Sequence, residues 1–145
     1  MLITNKNMIS KEEVIVFLQT INSDFPIPLS EKVTFSTYID KIWKVGTIIV
    51  DKDHDGLRGI ITGYTNDSSA QKSYVSILGI KKSHRGQSLG SQLLDEFEKI
   101  AVSNGLKENY LHTHIVNQKA IIFYEKKGYQ KISVEGHEVT MEKNL

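Results

Sequence analysis

The chain has 145 residues, 39% of them apolar and 24% charged, with a formal net charge of +1 and no cysteine. That balance excludes a bulk electrostatic grip on nucleic acid or on a membrane surface, and the missing cysteine removes disulfides, thiolate metal ligands and a thiol nucleophile together. The length suits a single domain over residues 1–145, no apolar run approaches the ~18 residues of a membrane span, and no signal-peptide layout opens the chain, so a soluble cytoplasmic protein is expected.

Ser10 and Glu13 form an S-x-x-E capping box ahead of Val14, Phe17, Leu18 and Ile21, which recur at helical spacing. The stretch "DFPIPLS" (24–30) holds both prolines and reads as a loop. Phe35, Tyr38, Ile39 and Ile42 mark a second helix ending near Gly46. "TIIV" (47–50), "LRGIITGY" (57–64) and "SYVSILGI" (73–80) read as strands joined by the turns "DKDHDG" (51–56) and "NDSSAQ" (66–71). Strands so closely spaced are joined most economically as antiparallel hairpins. Leu89, Leu93, Leu94, Phe97, Ile100 and Ala101 then give an amphipathic helix closed around Gly105. "NYLHTHI" (109–115) is a strand, Asn117 to Lys127 a helix ended by Gly128, and "YQKISV" (129–134) with "HEVTME" (137–142) a closing hairpin. The expected fold class is α/β (α+β): a mixed, mostly antiparallel central sheet flanked by helices, not a doubly wound parallel one.

"DKDHDGLRGIIT" (51–62) begins like a calcium loop, but its twelfth position is Thr62 rather than glutamate, and a charged hairpin turn is expected. The five histidines show no metal-ligand spacing, so no metal is expected.

In "KKSHRGQSLGSQLL" (81–94) a strand runs into a basic, small-residue turn that opens a helix. The first N–H groups of a helix lack internal partners and carry partial positive charge, which suits a phosphate. Gly90 permits close approach to the backbone, and Lys81, Lys82, His84 and Arg85 supply cationic surroundings. The same letters also suit an ordinary strand-to-helix loop. They match neither G-x-x-x-x-G-K-[ST] nor G-x-G-x-x-G.

The stretch "VSILGIKKSHRGQSLGSQLL" resembles the motif of the GCN5-related N-acetyltransferases, in which a strand leads into [QR]-x-x-G-x-[GA] at a helix start. Arg85 takes the first position and Gly90 the last, while Ser88 stands where the family usually has its first glycine. "NQKAIIFYEKKGY" (117–129) resembles the second family signature at Asn117, Ala120, Tyr124, Glu125, Gly128 and Tyr129. The order of elements agrees from about residue 10 onward, giving a GNAT-like acyl-CoA acyltransferase fold.

The resemblance implies an acetyl-coenzyme A site. The turn Arg85, Gly86, Gln87, Ser88, Leu89, Gly90 and Ser91 would hold the pyrophosphate through backbone N–H groups. Leu78, Gly79 and Ile80 would pair with the pantetheine arm as an added strand does. Gly79 itself suggests a bulge or a close backbone approach. Asn117 would touch the coenzyme and also suits the N-cap of the following helix. Lys126 is a further candidate for a coenzyme phosphate.

Acetyl transfer to an amine needs a deprotonated amine, donors for the oxyanion and a proton or hydrogen bond for the thiolate. Without cysteine no acetyl-cysteine intermediate can form, and direct attack in a ternary complex is expected over ping-pong transfer. Tyr124 stands at the family's usual tyrosine, which often reaches the thioester sulfur; on pattern alone it also suits a core position on its helix. His112 and His114 share one strand face. His112 is the expected base and His114 the runner-up. The expected acceptor is a primary amine of a small molecule such as an amino sugar. Peptide or protein N-terminal amines, or a non-catalytic acyl-coenzyme A sensor, are the alternatives. A homodimer stays open.

Overall fold

In the computed structural model, which describes residues 1–145, seven strands form one sheet. The chain runs β1 (Leu2–Ile3), α1 (Lys11–Ile21), α2 (Leu29–Lys32), α3 (Phe35–Val45), β2 (Thr47–Asp53), β3 (Gly56–Asp67), β4 (Lys72–Ile80), α4 (Leu89–Ser103), β5 (Glu108–His114), α5 (Gln118–Lys126), β6 (Gln130–Glu135) and β7 (Glu138–Asn144). Across the sheet the order is β1-β2-β3-β4-β5-β7-β6. Every pair is antiparallel except β4–β5, as a mixed, mostly antiparallel sheet requires. No helix is long and apolar enough to cross a membrane.

Both faces of the central strands are covered, which explains why "TIIV" and "GIIT" read as continuous apolar runs. Ile48, Val50, Ile60 and Ile77 pack under α1 and α3 with Val14, Leu18, Ile21, Ile39 and Ile42. Ile49, Ile61, Val75 and Leu111 face the other way, against Leu93, Leu94 and Phe97 of α4 and Ile121 of α5. The capping box starts α1: Glu13 N–H donates to Ser10 Oγ (3.1 Å), and Ser10 N–H donates to Glu13 Oε1 (3.1 Å). The acidic run 51–56 is the β2–β3 hairpin, in which Asp53 pairs with Gly56. Asp51, buried in that hairpin, is bonded by the guanidinium of Arg58. The expected loop 24–30 is interrupted by the single turn of α2, entered from Pro28 and anchored by the buried Leu29.

Strand β4 opens the sheet in two ways. Thr62 pairs with Ile77 and Gly63 with Val75, so Ser76 is an extra residue, a β-bulge. The parallel pairing of β4 with β5 runs only from Lys72–Glu108 to Val75–Leu111. From Ser76 onward the two strands part and leave a gap in the middle of the sheet.

Candidate active site

The gap between β4 and β5 is the mouth of a cleft of about 510 Å³. Its β4 wall is Tyr74 to Leu78, its β5 wall Leu111 to His114, and Asn117, Ala120 and Tyr124 come from the start and middle of α5. Phe25, Pro26, Ile27, Leu29 and Val33 roof one side, and Glu138 of β7 closes another.

The bulge decides which main-chain groups face the gap. Lys81 N–H donates to Arg58 C=O (2.8 Å). Counting back along an antiparallel ladder, Gly79 and Ile77 point their polar groups at β3, while Leu78 and Ile80 point theirs at the open edge. Tyr38 Oη holds the bulge from α3, 2.8 Å from Ser76 Oγ and 2.6 Å from Thr62 Oγ1. Gly79 does not make the bulge, which lies three residues earlier; it is a close approach, where a Cβ would collide with Ile21 Cδ1.

Beyond β4 the turn curls through two left-handed residues, Gly86 (φ +80°) and Ser88 (φ +62°). The second value gives the physical reason for a glycine at the position of Ser88, since a side chain there pays a steric cost. The first bond of α4 runs from Gln92 N–H to Ser88 C=O (3.0 Å), so the N–H groups of Leu89, Gly90 and Ser91 have no helical acceptor. Arg85 is not a free cation beside them. Its Nε donates to Ile80 C=O (3.1 Å) and its guanidinium pairs with Asp24 (2.6 Å), tying the turn to the end of α1. Lys127, rather than Lys126, reaches the first turn of α4, donating to Ser91 Oγ (2.7 Å) and Asp95 (2.6 Å).

Asn117 caps α5, its Oδ1 accepting from Ala120 N–H (3.2 Å), and also lines the cleft. Tyr124 lines the cleft floor, and burial alone pushes its phenol above the usual tyrosine range. It therefore stays protonated at neutral pH.

The two histidines of β5 share a face but not surroundings. His114 stacks on His137 (5.2 Å between centroids, 8° between planes), and its Nδ1 accepts from Val116 N–H (3.2 Å). His112 lines the gap with Nδ1 2.8 Å from Thr140 Oγ1, and its ring lies 5.5 Å from that of Tyr74, where β4 is still paired with β5. Tyr74 carries no motif, so sequence reasoning missed it. Burial first, then the neighbouring Tyr110, pushes its phenol up to about 12. Tyr74 thus stays protonated beside His112.

A sheet that parts beside a bulged strand, with that strand running on into a helix N-terminus and a buried phenol lining the opening, defines an acyl-coenzyme A transferase architecture. Residues 16–129 match the acetyltransferase (GNAT) family, and the chain belongs to that family. It is 41% identical over 64 residues to N-alpha-acetyltransferase 60 of Drosophila melanogaster, a match covering 42% of this chain and 23% of the fly protein. It is 24% identical over 111 residues to N-alpha-acetyltransferase 30 of Schizosaccharomyces pombe, covering 77% and 73% of the two chains. An aminoglycoside 6'-N-acetyltransferase solved with coenzyme A shares the fold, with a TM-score of 0.77 at 16% identity over 99% of this chain and 96% of that one.

Proposed function

We propose that this chain is an acetyl-coenzyme A-dependent N-acetyltransferase whose acceptor is the α-amine of a peptide with an apolar first residue. The observation that carries the acceptor is the cleft lining: Phe25, Pro26, Ile27, Leu29 and Val33 on one side, and Glu138 as the single carboxylate. A polycationic amino sugar calls for several carboxylates, whereas one amine beside an apolar group suits this wall. The names of the two curated relatives point to the same kind of acceptor.

In this reading the pantetheine arm adds a strand along β4 at Leu78–Ile80, where the polar groups of Leu78 and the N–H of Ile80 face the open edge. The pyrophosphate takes the free N–H groups from Gly86 to Ser91, with Arg85 positioning that turn through Asp24. His112 accepts the proton of the acceptor's ammonium. The neutral amine then attacks the thioester carbonyl directly; as the tetrahedral intermediate collapses the C–S bond breaks, the second N–H proton of the former amine passes to the departing thiolate, and Tyr124, keeping its own proton, donates a hydrogen bond to that sulfur. Tyr74, held protonated, donates a hydrogen bond at the meeting point.

Thiol release from acetyl-coenzyme A tests this. Peptides beginning with Met or Leu should exceed lysine-initiated peptides and aminoglycosides at least tenfold in kcat/KM, about 1.4 kcal/mol of transition-state binding. His112→Ala and Tyr124→Phe should each lower kcat by about 10²–10⁴ with coenzyme binding intact. Fastest release with a polycationic amino sugar would return the acceptor to the small-molecule class. No release with any amine would make the chain a coenzyme-binding sensor.

A further inference from the structure

We infer that Glu138 and Thr140 of β7 are positioning residues that set the tautomer and basicity of His112. The inference rests on the proposed role of His112 as base. His112 Nδ1 lies 2.8 Å from Thr140 Oγ1 and 3.5 Å from Glu138 Oε1. Both partners stand on β7, on the side of β5 away from the gap, because His112 pairs with Thr140 and His114 with Glu138. An ionised carboxylate only accepts hydrogen bonds, so it favours a proton on Nδ1. The lone pair then sits on Nε2, at the ring edge opposite β7, on the side of Tyr74 and the gap.

During reaction the acceptor's ammonium gives one proton to Nε2. The imidazolium formed is faced by the Glu138 carboxylate and returns the proton to water after product leaves. No other acid touches the ring. From its own strand Tyr110 lies 5.9 Å away, centroid to centroid, and His114 is stacked on His137 of the hairpin turn. From β4 comes Tyr74. Across the cleft stand Lys32 and Tyr124, and Glu135 shares only the outer mouth. Neither Lys32 nor Glu135 bonds the ring, so neither replaces the contact on Nδ1.

Glu138→Gln should move the acidic limb of kcat/KM toward lower pH, with KM for acetyl-coenzyme A unchanged. Glu135→Gln should move it by less than half as much. Nitrogen-15 NMR of the imidazole reads the tautomer without turnover: Nδ1–H in the intact protein, and a shift toward Nε2–H in Glu138→Gln/Thr140→Val. An Nε2–H tautomer in the unmodified protein overturns the inference, as does an equal shift from Glu135→Gln. An unmoved limb in Glu138→Gln, with His112→Ala inactive, overturns it while leaving His112 as the base. His112→Ala with unchanged rate and profile removes the base assignment and this inference with it.

Discussion

Removing the Tyr38 hydroxyl tests how the bulge is held. That oxygen bonds Thr62 Oγ1 (2.6 Å) and Ser76 Oγ (2.8 Å), and Thr62 is fully buried. Tyr38→Phe deletes two hydrogen bonds and leaves the Thr62 hydroxyl stranded in the core. A net hydrogen bond contributes about 0.5–1.5 kcal/mol and a buried orphan costs about 1–3, so a loss of about 2 kcal/mol is expected. Thr62→Val alone leaves Tyr38 bonded to Ser76 and should cost about 1 kcal/mol. The double variant has no orphan, so its cost should fall short of the sum by about 1 kcal/mol. Urea denaturation of the four proteins measures this cycle. Because Ser76 is the bulge residue, Tyr38→Phe should also raise KM for acetyl-coenzyme A severalfold. Additivity within about 0.3 kcal/mol, or a Tyr38→Phe variant as stable as the parent, would refute the claim that this hydroxyl braces the bulge.

Gly90→Glu should weaken acetyl-coenzyme A binding at least tenfold, about 1.4 kcal/mol, by setting negative charge at the start of α4; isothermal titration measures it. The fold should tolerate the change, because a Cβ at Gly90 comes no nearer to a neighbour than an ordinary 3.7 Å, to Phe123 Cζ. Alkaline titration should find Tyr38, Tyr74, Tyr124 and Tyr129 still protonated above pH 10, since burial is the leading cause of the upward shift in all four. Phenols raised in the folded state add stability that is full below their unfolded value of about 10 and lost as pH rises toward about 12, the value for Tyr74, so absorbance at alkaline pH should rise together with unfolding.

The range of each interaction decides which parts of the molecule the letters could carry. The start of α1 was legible because Ser10 and Glu13 bond within one turn, and the turn at 85–90 because its left-handed residues, Gly86 and Ser88, lie within a few letters of the helix start. The bulge was not. In "SYVSILGI" every second residue from Ser73 to Gly79 is buried, as in a regular strand. Yet Val75 belongs to the core under α4 while Ile77 belongs to the core under α1. The phase inverts at Ser76, and because both sheet faces are covered the apolar pattern hides the inversion. The same inversion turns Leu78 and Ile80 away from the α1 side, and the bend ends the pairing with β5 at Val75. Tyr74, Tyr38 and Glu138 escaped for a related reason. Each owes its place to a strand or helix far off in sequence, and a tyrosine or glutamate without a neighbouring motif carries no mark of that partner. The one local trace was Gly63, where a Cβ would collide with the Tyr74 carbonyl oxygen. A glycine inside a strand signals close approach but does not name what approaches. The molecule is thus split by distance: the turn at 85–90 is short-range and readable, while the cleft around His112 is assembled across the sheet.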